Sequence, residues 1–161
     1  MDSKIKVFGH PVHQTLIVLP LGLFAAAVVF DIIHAFGGDP TMAVVAYWMI
    51  TAGIVGGLLA APFGTIDWLA IPKGTRAKSI GALHGIGNVT VVLLLFIGSW
   101  SFRREAPQDP TTAAFVLSLA GAALSVVTGW LGGELVDRLG VGVHDGAHLD
   151  APSSLSKHSL R

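Results

Sequence analysis

Apolar and polar positions alternate on a coarse scale along this chain, as four long apolar runs separated by short polar breaks. The first run extends from Val12 to about Phe36 and stops at Gly37-Gly38-Asp39-Pro40, four consecutive turn formers. The second covers about residues 42–71 and ends at Pro72-Lys73-Gly74. The third covers 76–100 and ends at Arg103-Arg104; the fourth covers 111–136, after a polar loop containing Pro107 and Pro110. A helix needs about 20 apolar residues to cross a bilayer, and each run meets that length. The pattern predicts an all-α integral membrane four-helix bundle in residues 1–139. The segment 140–161, rich in Gly, Ser and His and without apolar periodicity, is expected to be a polar, flexible tail. Pro20 and Pro62 lie inside spans, where a kink is tolerated if neighbouring groups satisfy the freed carbonyl. Lys4 and Lys6 before the first run resemble the opening of a secretory signal, with Ala25–Ala27 as a cleavage mimic. The length of the run and the three spans after it favour a retained first span.

Composition agrees with the pattern. Of 161 residues, 52% are hydrophobic and only 12% charged, against about a quarter charged in soluble domains. Ten basic residues balance ten acidic ones, so no nucleic-acid footprint is present. Their distribution is uneven, however. Lys4, Lys6, Lys73, Arg76, Lys78, Arg138, Lys157 and Arg161 fall on one side of the predicted topology, and only Arg103 and Arg104 on the other. The positive-inside rule then places both termini in the cytoplasm. Trp68 and Trp130 near the cytoplasmic ends, with Trp48 and Trp100 near the opposite ends, fit aromatic belts at both interfaces. Gly53 with Gly57, Gly81 with Gly85 and Gly129 with Gly133 are small-residue pairs at the spacing that lets helices approach closely.

Ionisable residues inside a span cost at least about 2.5 kcal/mol at its centre, so their positions are informative. His10 and His13 open the first span, Asp67 lies late in the second, His84 and Asn88 early in the third, and Glu134 late in the fourth. Alternating helix direction brings all of them to the cytoplasmic half, where they could form one layer. Gly81, His84 and Asn88 share a helix face, with glycine leaving space for something flat or bulky, and His10 and His13 become i, i+3 neighbours if the first helix begins that early. A faint two-plus-two repeat also emerges: spans one and three each bring a histidine to this end, and spans two and four each a carboxylate. At the opposite end, Asp31 and His34 are expected to snorkel to the interface. His144-Asp145-Gly146-Ala147-His148 has metal-friendly composition but reads as solvated tail.

Gly9-His10-Pro11-Val12-His13, Asp67-Trp68, the Arg76 to Asn88 stretch, Gly132-Gly133-Glu134-Leu135-Val136 and Leu149-Asp150-Ala151-Pro152 together resemble the bacterial membrane family called domain of unknown function 2231. The resemblance covers nearly the whole chain and implies a multi-pass protein of the bacterial inner (cytoplasmic) membrane. It carries no established activity; fusions of some relatives to Rieske-type iron–sulfur domains hint at membrane redox chemistry. The family's polar pattern falls on His10, His13, Asp67, His84 and Glu134, while Asp137 and Leu139 stand where an aromatic residue and a histidine are expected.

Two functional classes follow. In the first, the bundle holds haem b or a divalent metal ion for electron transfer with a redox partner. His84 with His13 or His10 would ligate haem, with Asp67, Asn88 and Glu134 orienting the imidazoles. The metal alternative uses His10, His13, His84, Asp67 and Glu134. In the second, the same residues form a hydrogen-bonded network fixing helix register, in a scaffold, a membrane complex or a homo-oligomer. Small-solute transport ranks lower, because charged waypoints across the midplane are scarce. Cysteine is absent, which excludes thiolate ligands and disulfides. No Ser-His-Asp constellation, phosphate loop or HExxH motif marks an enzyme.

Overall fold

The structure, a computed structural model, describes residues 1–156; Lys157, Arg161 and the end of the tail lie outside the described residues. Among the described residues, four helices are long and apolar enough to cross a membrane: Val12–Gly37, Pro40–Ala70, Arg76–Arg103 and Thr112–Arg138, here spans 1 to 4. Their limits follow from local chemistry. Gly38 takes the left-handed conformation (φ 70°) that closes span 1, and its N–H donates to the His34 carbonyl. The next residue, Asp39, caps span 2 by accepting from Thr41 N, with Pro40 at the first helical position. Thr75 and Thr111 cap spans 3 and 4 in the same way, accepting from Lys78 N and Ala114 N.

Three of the helices carry irregularities. Span 1 is interrupted at Ile17, within the turn where Pro20 offers no N–H to the Leu16 carbonyl. Pro62, in contrast, sits within a continuous helix. Residues Thr90–Phe96 of span 3 form a π-helical segment, as do Glu134–Arg138 at the end of span 4.

Span 1 packs along span 2 and span 3 along span 4, with lighter contacts from 1 to 4 and from 2 to 3. Spans 1 and 3 are therefore diagonal, and meet through long side chains at the bundle centre. The interior is built from small residues, Ala27, Ala43, Ala46, Ala60 and Ala114 among them, around the stacked rings of Phe24 and Phe96 at 4.0 Å. Large apolar side chains such as Leu58, Leu94, Val126 and Phe36 point outward. Small inside and large outside is the arrangement lipid favours, since burying leucine between helices gains nothing over leaving it in acyl chains.

The expected glycine pairs divide. A Cβ on Gly53 would run into the Phe24 ring, Gly57 faces Val92 and Gly81 lies against Trp68, whereas Gly85, Gly129 and Gly133 have open space around them. The tryptophans also divide. Trp48 and Trp130 are exposed on the bundle surface, while Trp100 donates to Thr51 Oγ1 and Trp68 to the Lys78 carbonyl.

Before span 1, Lys6–Val7 and His10–Pro11 pair antiparallel around a tight turn at Phe8-Gly9, both with positive φ. This segment and the one after span 4 share one end of the bundle: the Met1 ammonium donates to the Gly140 carbonyl, Gly142 N to the Met1 carbonyl and Ser154 Oγ to the Phe8 carbonyl. We call this the terminal end.

Candidate functional site

The polar residues expected at the terminal end are there, but they serve separate partners. His13 Nδ1 donates to the Ala60 carbonyl of span 2 at 3.1 Å. His84 Nδ1 donates to the Thr128 carbonyl of span 4 at 2.9 Å. A carbonyl can only accept, so each bond places a proton on Nδ1, and in the neutral tautomer of that kind the lone pair lies on Nε2. On His84 that lone pair accepts from Asn88 Nδ2 at 3.1 Å. The Asn88 placement thus agrees with the face shared at i, i+4.

Asp67 faces the N-terminal segment, accepting from Ser3 Oγ and from Lys4 N, both at 2.7 Å. Glu134 pairs with Arg76 across spans 4 and 3 at 2.7 Å. His10 is exposed in the short antiparallel pair; the helix begins at Val12, so the i, i+3 relation between His10 and His13 does not form. Among the described residues no three His, Asp or Glu side chains gather closely enough to hold a metal ion. The five residues His10, His13, His84, Asp67 and Glu134 therefore do not form one ligand shell. Nor is the glycine space beside His84 left for a flat group, since the Trp68 indole fills the position above Gly81.

The charges most deeply buried lie at the other end. Asp31 is 1% exposed and Arg103 fully buried, and they form a two-pronged ion pair, Nη1 to Oδ1 at 2.7 Å and Nη2 to Oδ2 at 2.8 Å. Arg103 Nε also donates to Ser99 Oγ and Nη2 to Ser118 Oγ, each at 3.2 Å. Ser99 and Ser118 are 2.8 Å apart, and Ser99 donates to the Ala114 carbonyl. This corrects two expectations: Asp31 does not snorkel, and Arg103 is not a loop charge but folds inward from the end of span 3. Only His34 stays near the surface, its Nδ1 donating to the Asp39 carbonyl. Fork-to-fork geometry with hydroxyls around it compensates the desolvation of both charges. A signal for the pair was present in the sequence. Phe24, Ala27 and Asp31 share one helical face, and Phe96, Ser99 and Arg103 repeat that spacing.

In the tail, His144 Nδ1 accepts from Gly146 N, and Asp145, largely exposed, lies 3.5 Å from the Met1 ammonium. Outside the spans, two carboxylates are held below their ordinary range. The Lys6 ammonium bonded to Asp2 does this at the N-terminus, and the Thr41 N–H bonded to Asp39 does it at the cap of span 2.

Comparison with known proteins adds three findings. A 33% identity over 129 residues links the chain to a protein of Rhizobium meliloti (strain 1021) titled "Probable low-affinity inorganic phosphate transporter". The match takes in 73% of this chain but 37% of that protein, so the chain spans little more than a third of its relative's length. No solved structure matches. The family described as "Predicted membrane protein (DUF2231)" matches residues 9–145, which include both histidine–carbonyl contacts and the buried ion pair, and the chain belongs to that family.

Proposed function

We propose that this protein is a multi-pass subunit of the bacterial inner membrane, with both termini cytoplasmic, whose in-membrane polar side chains form a frame that fixes helix positions for assembly with other membrane components. One observation carries the reading: several of the polar groups inside the spans are matched by other spans. His13 meets span 2, His84 meets span 4, and Arg103 of span 3 meets Asp31 of span 1 and Ser118 of span 4. In hydrocarbon an interhelical hydrogen bond is worth on the order of 0.6 kcal/mol on average, so several together bias register without locking the bundle individually. Support for the orientation comes from the eight-to-two distribution of Lys and Arg.

Haem ligation by His13 and His84 is the competing reading, favoured by the Nε2 lone pairs that their carbonyl contacts leave. The arrangement does not fit it as it stands, because Asn88 occupies Nε2 of His84. Arg103, the cation inside the bundle, bonds Asp31 with both terminal nitrogens, which likewise argues against a phosphate seat there.

Purification in detergent followed by an absorption spectrum and elemental analysis tests the reading. The frame predicts no Soret band, no stoichiometric metal, and a lowered melting temperature in His13→Ala and His84→Ala. A Soret band that is lost in His84→Ala would overturn it in favour of haem, and phosphate uptake by proteoliposomes would overturn it in favour of transport.

A further inference from the structure

We infer that spans 1–2 and spans 3–4 are two copies of one two-span unit, related by a pseudo-two-fold axis along the bundle, and that the Asp31–Arg103 pair commits each half to the other rather than to its own kind. Two sets of contacts recur, and a third joins residues to their own counterparts. At the terminal end, the His13 ring bonds the Ala60 carbonyl and lies against Gly64; the His84 ring bonds the Thr128 carbonyl and lies against Gly132. Ala60 to Thr128 and Gly64 to Gly132 are the same step of 68 positions. In the middle, the Phe24 ring fills the space over Gly53 and the Phe96 ring that over Gly121, again a step of 68 for the glycines.

The third set lies on the axis. A residue that touches its own counterpart in a two-fold arrangement must sit there. Phe24 and Phe96 stack at 4.0 Å with 12° between rings, and Asp31 meets Arg103, both pairs 72 positions apart. His13 and His84 are only 71 apart. The π-helical segment Thr90–Phe96, between His84 and Arg103, accounts for the extra residue. A π-bulge takes one more residue per turn, so both ends of span 3 keep the phase of span 1.

At the axis the halves differ in charge. Pairing two first halves would set Asp31 against Asp31, and pairing two second halves would set Arg103 against Arg103, each a desolvated like-charge contact. Their neighbours have diverged accordingly. Ser99 and Ser118, which bond the guanidinium, correspond to Ala27 and Ile50, and all four are fully buried. The second half is thus built to surround a cation and the first to deliver a bare carboxylate.

Melting of full-length variants in detergent tests this. The swap D31R/R103D puts a guanidinium beside Ala27 and Ile50, and should melt roughly 10 °C or more below the natural chain. Adding A27S, I50S, S99A and S118I transfers the whole neighbourhood across the axis and should recover most of the loss. A six-substitution chain no more stable than the two-substitution swap would overturn the equivalence of the halves. Deletions give an independent measure. Removing Leu94, exposed within the π segment, should leave a monodisperse protein, because the segment can relax to α-helix with both flanks in phase. Removing Ala25 from span 1 turns Asp31 by about 100° relative to His13 and should aggregate the protein. Equal losses from the two deletions would count against the repeat.

Discussion

Asp31 and Arg103 bring opposite charges into a region where neither survives alone. Removing one partner leaves the other buried and uncompensated, at a cost of about 3–5 kcal/mol, whereas replacing both by apolar residues of similar size is often neutral. Asp31→Ala should therefore lower the detergent melting temperature sharply, while the double variant D31L/R103M should melt close to the natural protein. Equal losses in the two would mean that the charges themselves, and not their mutual compensation, hold spans 1 and 3 together. Glycines supply a second contrast at this scale. A methyl on Gly121 collides with the Phe96 ring, so Gly121→Ala should destabilise by about 1–3 kcal/mol. Gly129 has nothing within 4 Å, and Gly129→Ala should stabilise by about 0.5–1 kcal/mol through helix propensity. Such distinctions were not legible beforehand. Gly53, Gly81 and Gly129 carry the same small-residue signature, and only the neighbouring span decides which of them is filled. For Arg103 the difficulty was sharper, since a basic pair at the end of an apolar run is read as a loop by its position, while its partner lies 72 residues away.

At the scale of elements, the breaks between runs were the most readable feature, because each is written in chemistry that acts locally. Asp39-Pro40, Thr75 and Thr111 stand where the helices begin. The start of span 1 was less readable: Pro11 caps it without a side-chain bond, so the helix starts at Val12 and leaves His10 outside. The π segment was not readable at all, since Thr90–Phe96 is an ordinary apolar stretch whose extra residue shows only against span 1. The cap at Asp39 has a pH dependence with a definite sign. Its carboxyl is held below the usual range by the Thr41 N–H. The stabilisation is therefore complete above the unfolded-state value near 4, and is lost as pH falls through the lower folded-state value. The melting-temperature difference between the natural protein and Asp39→Ala should be constant from about pH 5 to 8 and shrink below about pH 4. A difference unchanged at low pH would show that the ionised carboxylate is not what caps span 2.

For the whole molecule, the number of spans and their membrane character followed from hydropathy alone, while the arrangement of the bundle did not. Four apolar runs with short connections allow several packings, and the diagonal placement of spans 1 and 3 rests on Phe24–Phe96 and Asp31–Arg103, contacts between residues 72 positions apart whose trace in the sequence is the spacing the two helices share. The histidines were legible as candidates because an imidazole in an apolar run stands out. Their partners were not, because a backbone carbonyl has no sequence signature. Orientation in the membrane is a separate matter, decided while the chain inserts and before Arg103 finds Asp31. At that stage the basic residues act by position, and among the described residues Lys4, Lys6, Lys73, Arg76, Lys78 and Arg138 lie on the side of the terminal end, against Arg103 and Arg104 on the other. A fluorescent protein fused after Arg161 should then be bright, and an alkaline phosphatase inserted between Arg104 and Pro110 should be active in the periplasm. Changing Lys73, Arg76 and Lys78 together to Gln removes the basic cluster between spans 2 and 3, and should increase the inverted fraction more than changing Arg103 and Arg104 does. An active phosphatase at the C-terminus of the natural chain would reverse the orientation, and would place the exposed His10 hairpin and the Asp67 contact with Ser3 on the periplasmic side.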